Sequence, residues 1–270
     1  MRNIALLLSY LGTEYHGFQL QKTDRTIAGE LNRALSRVFG HRASVVGCGR
    51  TDAGVHAEVY VANVKTESAI PADRLPYAVN ACLPPDIAVF VAKEVDSSFH
   101  AVFSSVGKEY TYRISCGRVR SPFLADRVHF YPRALDVSAM REAASHLVGT
   151  HDFRAMRSVG SNVKTTIRTV EHCTVETRES LVAIRVKANG FLYNMARAIA
   201  GTLLYVSEGK IAPADIPGIL QSGDRMRAGP TAPPQGLYMT GVWYPEDVLA
   251  FDAREGNGTH AFGGRRGNDE

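Results

Sequence analysis

Apolar positions along the chain change period as they go, and the changes mark out elements. Residues 3–10 form a strand with Ile4, Ala5, Leu6, Leu7 and Leu8 in an almost unbroken apolar run. After Thr26 the spacing becomes helical: Ile27, Leu31, Ala34, Leu35 and Val38 share one stripe, Thr26 is the predicted N-cap and Gly40 the stop. A short strand over 43–48 and a longer one over 56–65, rich in Val and Tyr, flank a loop containing Gly. Pro71 opens a short helix through Leu75, Val79 and Cys82 that Pro84 and Pro85 end, and residues 87–95 form a closing strand. The order is β-α-β-β-α-β, the split arrangement of ferredoxin-like domains.

The same order is legible a second time. Residues 106–116 are a strand, and a basic stretch leads to a helix capped by Asp136 with Val137, Met140, Ala144 and Leu147 on one face. Residues 165–177 and 181–188 read as a hairpin turning at Arg178, Glu179 and Ser180. A helix over 194–207 turns Met195, Ile199, Leu203 and Val206 inward, a shorter one covers 213–220, and residues 237–243 are the last strand. The prediction is an α+β protein of two ferredoxin-like halves, 1–103 and 104–247. Each would have an antiparallel sheet with helices on one face and the other face free to meet its counterpart or a ligand. A cleft between the halves is the expected place for a site. The polar, Gly-rich residues from 248 to 270 are expected to be a disordered tail.

Composition removes several classes. With 45% apolar and 21% charged residues among 270, the chain can bury a core, and it is neither collagenous nor disordered. No apolar run approaches the roughly 20 residues of a bilayer span, and 4–8 is too short for a signal-peptide core, so a cytoplasmic protein is expected. The four cysteines stand far apart, which argues against a zinc site or a disulfide framework and for small buried hydrophobes. The charge is uneven. Between residues 101 and 133, Lys108, Arg113, Arg118, Arg120, Arg127 and Arg133 face only Glu109 and Asp126, with Phe103, Tyr110, Tyr112, Phe123, Phe130 and Tyr131 among them. Cations that neutralise phosphates interleaved with rings that stack on bases suit a nucleic acid. A solvated strand face over an aromatic core would look the same.

The densest chemical signal is Gly49-Arg50-Thr51-Asp52-Ala53-Gly54-Val55-His56-Ala57, in the loop between the second and third strands. Glycines let such a loop approach a ligand, and a carboxylate there can act as a nucleophile or a base, with a cation favouring its ionised form. An Asp in such a loop more commonly braces its own turn.

This segment resembles the signature of the TruA family of tRNA pseudouridine synthases, and five other blocks, in order, are similar to that family. They are Tyr10-Leu11-Gly12-Thr13-Glu14-Tyr15-His16-Gly17-Phe18-Gln19; Ser98-Phe99-His100-Ala101-Val102-Phe103 with Tyr110-Thr111-Tyr112-Arg113; Gly149-Thr150-His151-Asp152-Phe153; Phe191-Leu192-Tyr193-Asn194-Met195-Ala196-Arg197; and Ala232-Pro233-Pro234-Gln235-Gly236-Leu237-Tyr238. The chain departs from the pattern at Phe18, Val102 and Ala196, where Trp, Arg and Val are usual. The resemblance implies a pseudouridine synthase fold with a central cleft, and conversion of uridine to pseudouridine at positions 38 to 40 of the tRNA anticodon stem-loop. It implies a homodimer with tRNA as partner and no cofactor or metal. It also implies that Asp52 is the catalytic carboxylate, either attacking C1′ or removing the 2′ proton. Tyr110 would stack on the target uracil, Arg197 pair with the carboxylate, Leu237 form an apolar wall, and Arg50 contact the backbone or fill space as the nucleotide flips. Without the resemblance, Tyr110 and Leu237 would read as core and Arg197 as a surface charge. His56 is the weakest candidate: it reads equally as a hydrogen-bonded structural residue, and no catalytic role is assigned to it.

The alternative is a non-catalytic RNA-binding protein with tandem RRM-like domains, which share the element order. Such domains carry Gly and spaced aromatics on the third strand, and residues 59–65 carry no such pattern. A nucleotide-binding metabolic enzyme would need a Gly-rich phosphate loop after a strand, and the chain has none.

Overall fold

A computed structural model describes residues 1–158, 160 and 163–245, and the tail expected from residue 248 lies outside them. The first half consists of β1 (Arg2–Tyr10), α1 (Ile27–Phe39), β2 (Val45–Gly47), β3 (His56–Thr66), α2 (Leu75–Asn80) and β4 (Ile87–Val95). The second consists of β5 (Gly107–Cys116), β6 (His129–Tyr131), α3 (Val137–Ser145), β7 (Gly149–Asp152), β8 (Ile167–Arg178), β9 (Leu181–Ala188), α4 (Met195–Ser207), α5 (Ile216–Ser222) and β10 (Leu237–Trp243). The predicted caps form. Thr26 accepts the N–H of Gly29 and Asp136 that of Ala139, each satisfying one orphan donor of a first turn, and Gly40 closes α1 by donating to Ser36 O. Two short strands, β6 and β7, were not expected.

Each half arranges its strands in the spatial order fourth, first, third, second: β4-β1-β3-β2 and β10-β5-β9-β8. The expected pair of sheets with free faces is replaced by one ten-stranded, mostly antiparallel sheet in which the halves join edge to edge. The physical reason lies in β2. Its three residues pair only with Ala62, Asn63 and Val64, leaving the beginning of β3 with open backbone groups. β10 fills that edge in parallel, Tyr238 opposite His56 and Met239 opposite Ala57, while its other edge runs antiparallel to β5.

Side chains alternate across β5. Tyr110, Tyr112 and Ile114 enter the core, together with Val182, Ile184 and Val186 of β9 and with Met140, Ile199 and Leu203 of the helices. The intervening side chains are polar and pair on the opposite face. Arg113 bridges to Glu58 of the first half at 2.8 Å and lies 4.1 Å over the Tyr238 ring. Among the described residues no helix is long and apolar enough to cross a membrane.

Candidate active site

The loop between β2 and β3 is shaped by the segment that follows β1. Phe18 N–H donates to Thr51 O at 3.2 Å, Gly54 N–H to Tyr15 O at 3.2 Å, and the Tyr10 and Thr51 hydroxyls pair at 2.8 Å. Gly17 makes the approach possible. Its φ of 83° is left-handed, and a Cβ there would stand 2.3 Å from Thr51 O. Phe18, where the family pattern has Trp, stacks on Tyr60 at 4.4 Å, and the Tyr60 hydroxyl donates to Gly49 O. The glycines and aromatics of the N-terminal block therefore hold the loop in place.

His56 closes the loop from beneath. It is fully buried, its Nδ1 accepts Gly12 N–H at 3.0 Å, and Nε2 faces Gln235 O at 3.2 Å. Since Nδ1 accepts, the proton sits on Nε2 and is donated to Gln235. Burial lowers the pKa of the imidazole to about 4, so it is a neutral, hydrogen-bonded residue in neutral solution, the structural one of the two readings its sequence left open.

Asp52 and Arg197, distant in sequence, meet at this loop: Arg197 Nη1 donates to Asp52 Oδ2 at 3.2 Å. Arg197 is anchored twice more, through Nε to Ala232 O at 2.7 Å and through Nη1 to Asn194 Oδ1 at 3.0 Å. Asn194 adopts a left-handed φ of 61° immediately before α4, and its amide nitrogen donates to Ser158 Oγ at 3.0 Å. The Ala232 carbonyl is close because Gly201 lets the 229–232 segment lie on α4; a Cβ on Gly201 would sit 1.7 Å from Pro230 O. The side chains of Asp52 and Arg197 are 30% and 16% exposed, so the carboxylate is reachable while its partner is held.

Tyr110 lies close enough to Asp52 for the carboxylate to raise its phenol pKa, after the larger effect of burial and that of Cys48. It is thus a neutral phenol that offers a flat ring and a hydrogen-bond donor. Phe191 meets it edge-on at 4.8 Å. Leu237 begins β10 opposite Tyr112, two residues before Met239, the register partner of Tyr110. Asp52, Arg197 and Tyr110 therefore come together, with Leu237 on the strand beside Tyr110. Arg50 does not join them: it is exposed and makes no hydrogen bond or ion pair among the described residues. Among those residues no three His, Cys, Asp or Glu side chains gather as a metal site.

Reasoning along the sequence missed Asn194, the Ala232 carbonyl and Gly201, which orient Arg197. Asn194 carried a readable signal, an Asn at a predicted helix start three residues before an Arg. The other two depend on a contact between distant segments.

A carboxyl group held by an arginine beside a buried ring can serve as a nucleophile or a base. The tRNA pseudouridine synthase family matches residues 7–104 and 143–245 of the chain. A protein of Thermoanaerobacter sp. (strain X514) named tRNA pseudouridine synthase A is 46% identical over 244 residues, covering 90% of this chain and 100% of that protein. One of the same name from Acetivibrio thermocellus is 44% identical with the same coverage. A chain in a crystal structure of a Cbf5-Nop10-Gar1 complex aligns with 87% of this chain at 15% identity and a TM-score of 0.34; this chain spans 48% of its length, and so loose a likeness carries no weight. Matched over both halves, and aligned with the full length of relatives more than 40% identical to it, the chain belongs to the tRNA pseudouridine synthase family.

Proposed function

We propose that the protein isomerises uridine to pseudouridine at positions 38 to 40 of the tRNA anticodon stem-loop, with Asp52 as the catalytic carboxylate. The observation that carries this reading is the 3.2 Å contact between Asp52 and the triply anchored Arg197, beside Tyr110. In the reaction the N1–C1′ bond breaks, the uracil turns, C5 bonds to C1′, and the C5 proton leaves to solvent while N1 gains one. Atoms balance within the nucleotide, so the conversion consumes no co-substrate. Arg197 fixes the carboxylate oxygen at the sugar, at C1′ if Asp52 attacks there or at the 2′ hydrogen if Asp52 takes that proton. Tyr110 stacks on the uracil and Leu237 walls its other side, holding the free base against loss to water. Arg50, exposed and without a partner among the described residues, reaches the backbone as the nucleotide is flipped.

The reading extends to the working form: halves of 1–103 and 104–247, a homodimer with a tRNA spanning both subunits, located in the cytoplasm. Sedimentation of the free protein and of its tRNA complex tests the dimer.

The deciding experiment supplies unmodified tRNA tritiated at uridine C5 and follows tritium release to water. Wild type should release it. Asp52→Asn, which keeps the side-chain volume and loses the charge, should release none while still binding tRNA. Release by the variant, or tRNA binding without release by wild type, overturns the assignment; the latter returns the non-catalytic RNA-binding reading.

A further inference from the structure

Lys108 is a cation without a counter-ion among the described residues. It lies on β5 between Val242 of β10 and Ala188 of β9, two residues before Tyr110 and on the same face. Its ammonium hangs over the loop that carries Asp52: a Cβ on Gly49 would stand 3.6 Å from Nζ. The residue is half-buried, and among the described residues it makes no hydrogen bond, ion pair or ring contact. Its neighbour Glu109 points to the other face, where His172 at 3.1 Å and Thr240 at 2.8 Å hold the carboxylate. The ionisable group that acts on Lys108 is the Cys48 thiol, whose own pKa burial raises to about 11, so it is neutral and no counter-ion. Burial accordingly depresses the lysine pKa.

Withdrawing an ammonium from water without a partner is unfavourable, and such groups gather where a ligand supplies the opposite charge. Gly49 stands beside this ammonium, and the next residue, Arg50, is exposed and equally without a partner among the described residues. We infer that Lys108 binds a phosphodiester flanking the target nucleotide, with Arg50 as the outer and more mobile cation of the same phosphate site. The inference rests on the reading above that the substrate is RNA, whose anionic groups are its phosphodiesters. The ammonium then fixes the strand while Asp52, three residues beyond Gly49, meets the sugar.

The test compares wild type, Lys108→Met and Lys108→Arg in tritium release from tRNA and in tRNA affinity across salt concentrations. Lys108→Met should raise KM and Kd about tenfold, leave kcat within about twofold, and lower the slope of log Kd against log salt by about one. Lys108→Arg should restore the slope. Loss of kcat at unchanged KM and slope, the pattern of a merely structural residue, overturns the inference. A second arm leaves the protein untouched: anticodon stem-loops each carry one neutral methylphosphonate at a phosphate flanking the uridine. One position should weaken wild-type binding as much as Lys108→Met does, with no further loss when the two are combined. If no methylphosphonate position weakens wild-type binding, the inference fails even should Lys108→Met misfold. No tritium release by wild type fails the parent reading, whereas turnover with unaltered KM in Lys108→Met fails this inference alone.

Discussion

Arg197 meets three acceptors with two nitrogens, and a geometry of that kind has no equivalent in lysine. Nε holds the Ala232 carbonyl while Nη1 serves Asp52 and Asn194. A lysine has one nitrogen to offer, so Arg197→Lys should lower kcat for tritium release about a hundredfold while melting close to wild type. Tyr110→Phe keeps the ring and should bind tRNA like wild type; Tyr110→Ala should lose about 1–3 kcal/mol of affinity, the worth of one base stack, in a filter-binding titration. His56 gives a stability prediction. Its folded pKa of about 4 lies below the ordinary 6.5, so the unfolded chain binds the proton better; its contribution is fully present above pH 6.5 and is lost as the pH falls towards 4. The loss is about 3 kcal/mol and is read from the urea midpoints of wild type and His56→Gln, whose difference should shrink over that window. Individual residues were unequally legible. The carboxylate loop announced itself by its glycines, but Arg197 looked like a surface charge because its acceptors come from the loop at 52 and the segment at 232. Lys108 looked like one more member of a basic stretch, since its isolation exists only in three dimensions.

Elements separate stability from activity. Thr26→Ala removes the hydroxyl that caps α1 and should cost about 1 kcal/mol in urea denaturation with kcat unchanged, because α1 provides none of the groups around Asp52. Gly201→Ala acts otherwise. A methyl 1.7 Å from Pro230 O must push the 229–232 segment off α4, costing about 1–3 kcal/mol and drawing the Ala232 carbonyl away from Arg197, so kcat should fall as well. Strong periodicity made most elements readable: β4 and β10 match their predicted ranges, and α1 lies between its predicted cap and stop. The strand expected over 43–48 shrinks to Val45–Gly47, and the helix expected from 194 begins at Met195 because Asn194 is left-handed. β6 and β7, three and four residues long, are too short to show alternation.

At the scale of the molecule, the repeated β-α-β-β-α-β order was visible and the joining of the halves was not, because an edge left open by a short β2 is a non-local fact. The basic stretch belongs to this scale too. If its cations neutralise phosphates, tRNA affinity should fall steeply between low and physiological salt, and a flat titration would remove it from the interface. The parallel pairing of β10 with β3 also bears on synthesis. The carboxylate loop leaves the ribosome early, but the strand that completes its sheet, and the Ala232 carbonyl that steadies Arg197, come near the end of the described chain. Pairing at so long a sequence separation is slow to form. A nascent or stalled chain therefore carries the loop without the strand and the carbonyl that support it in the folded protein.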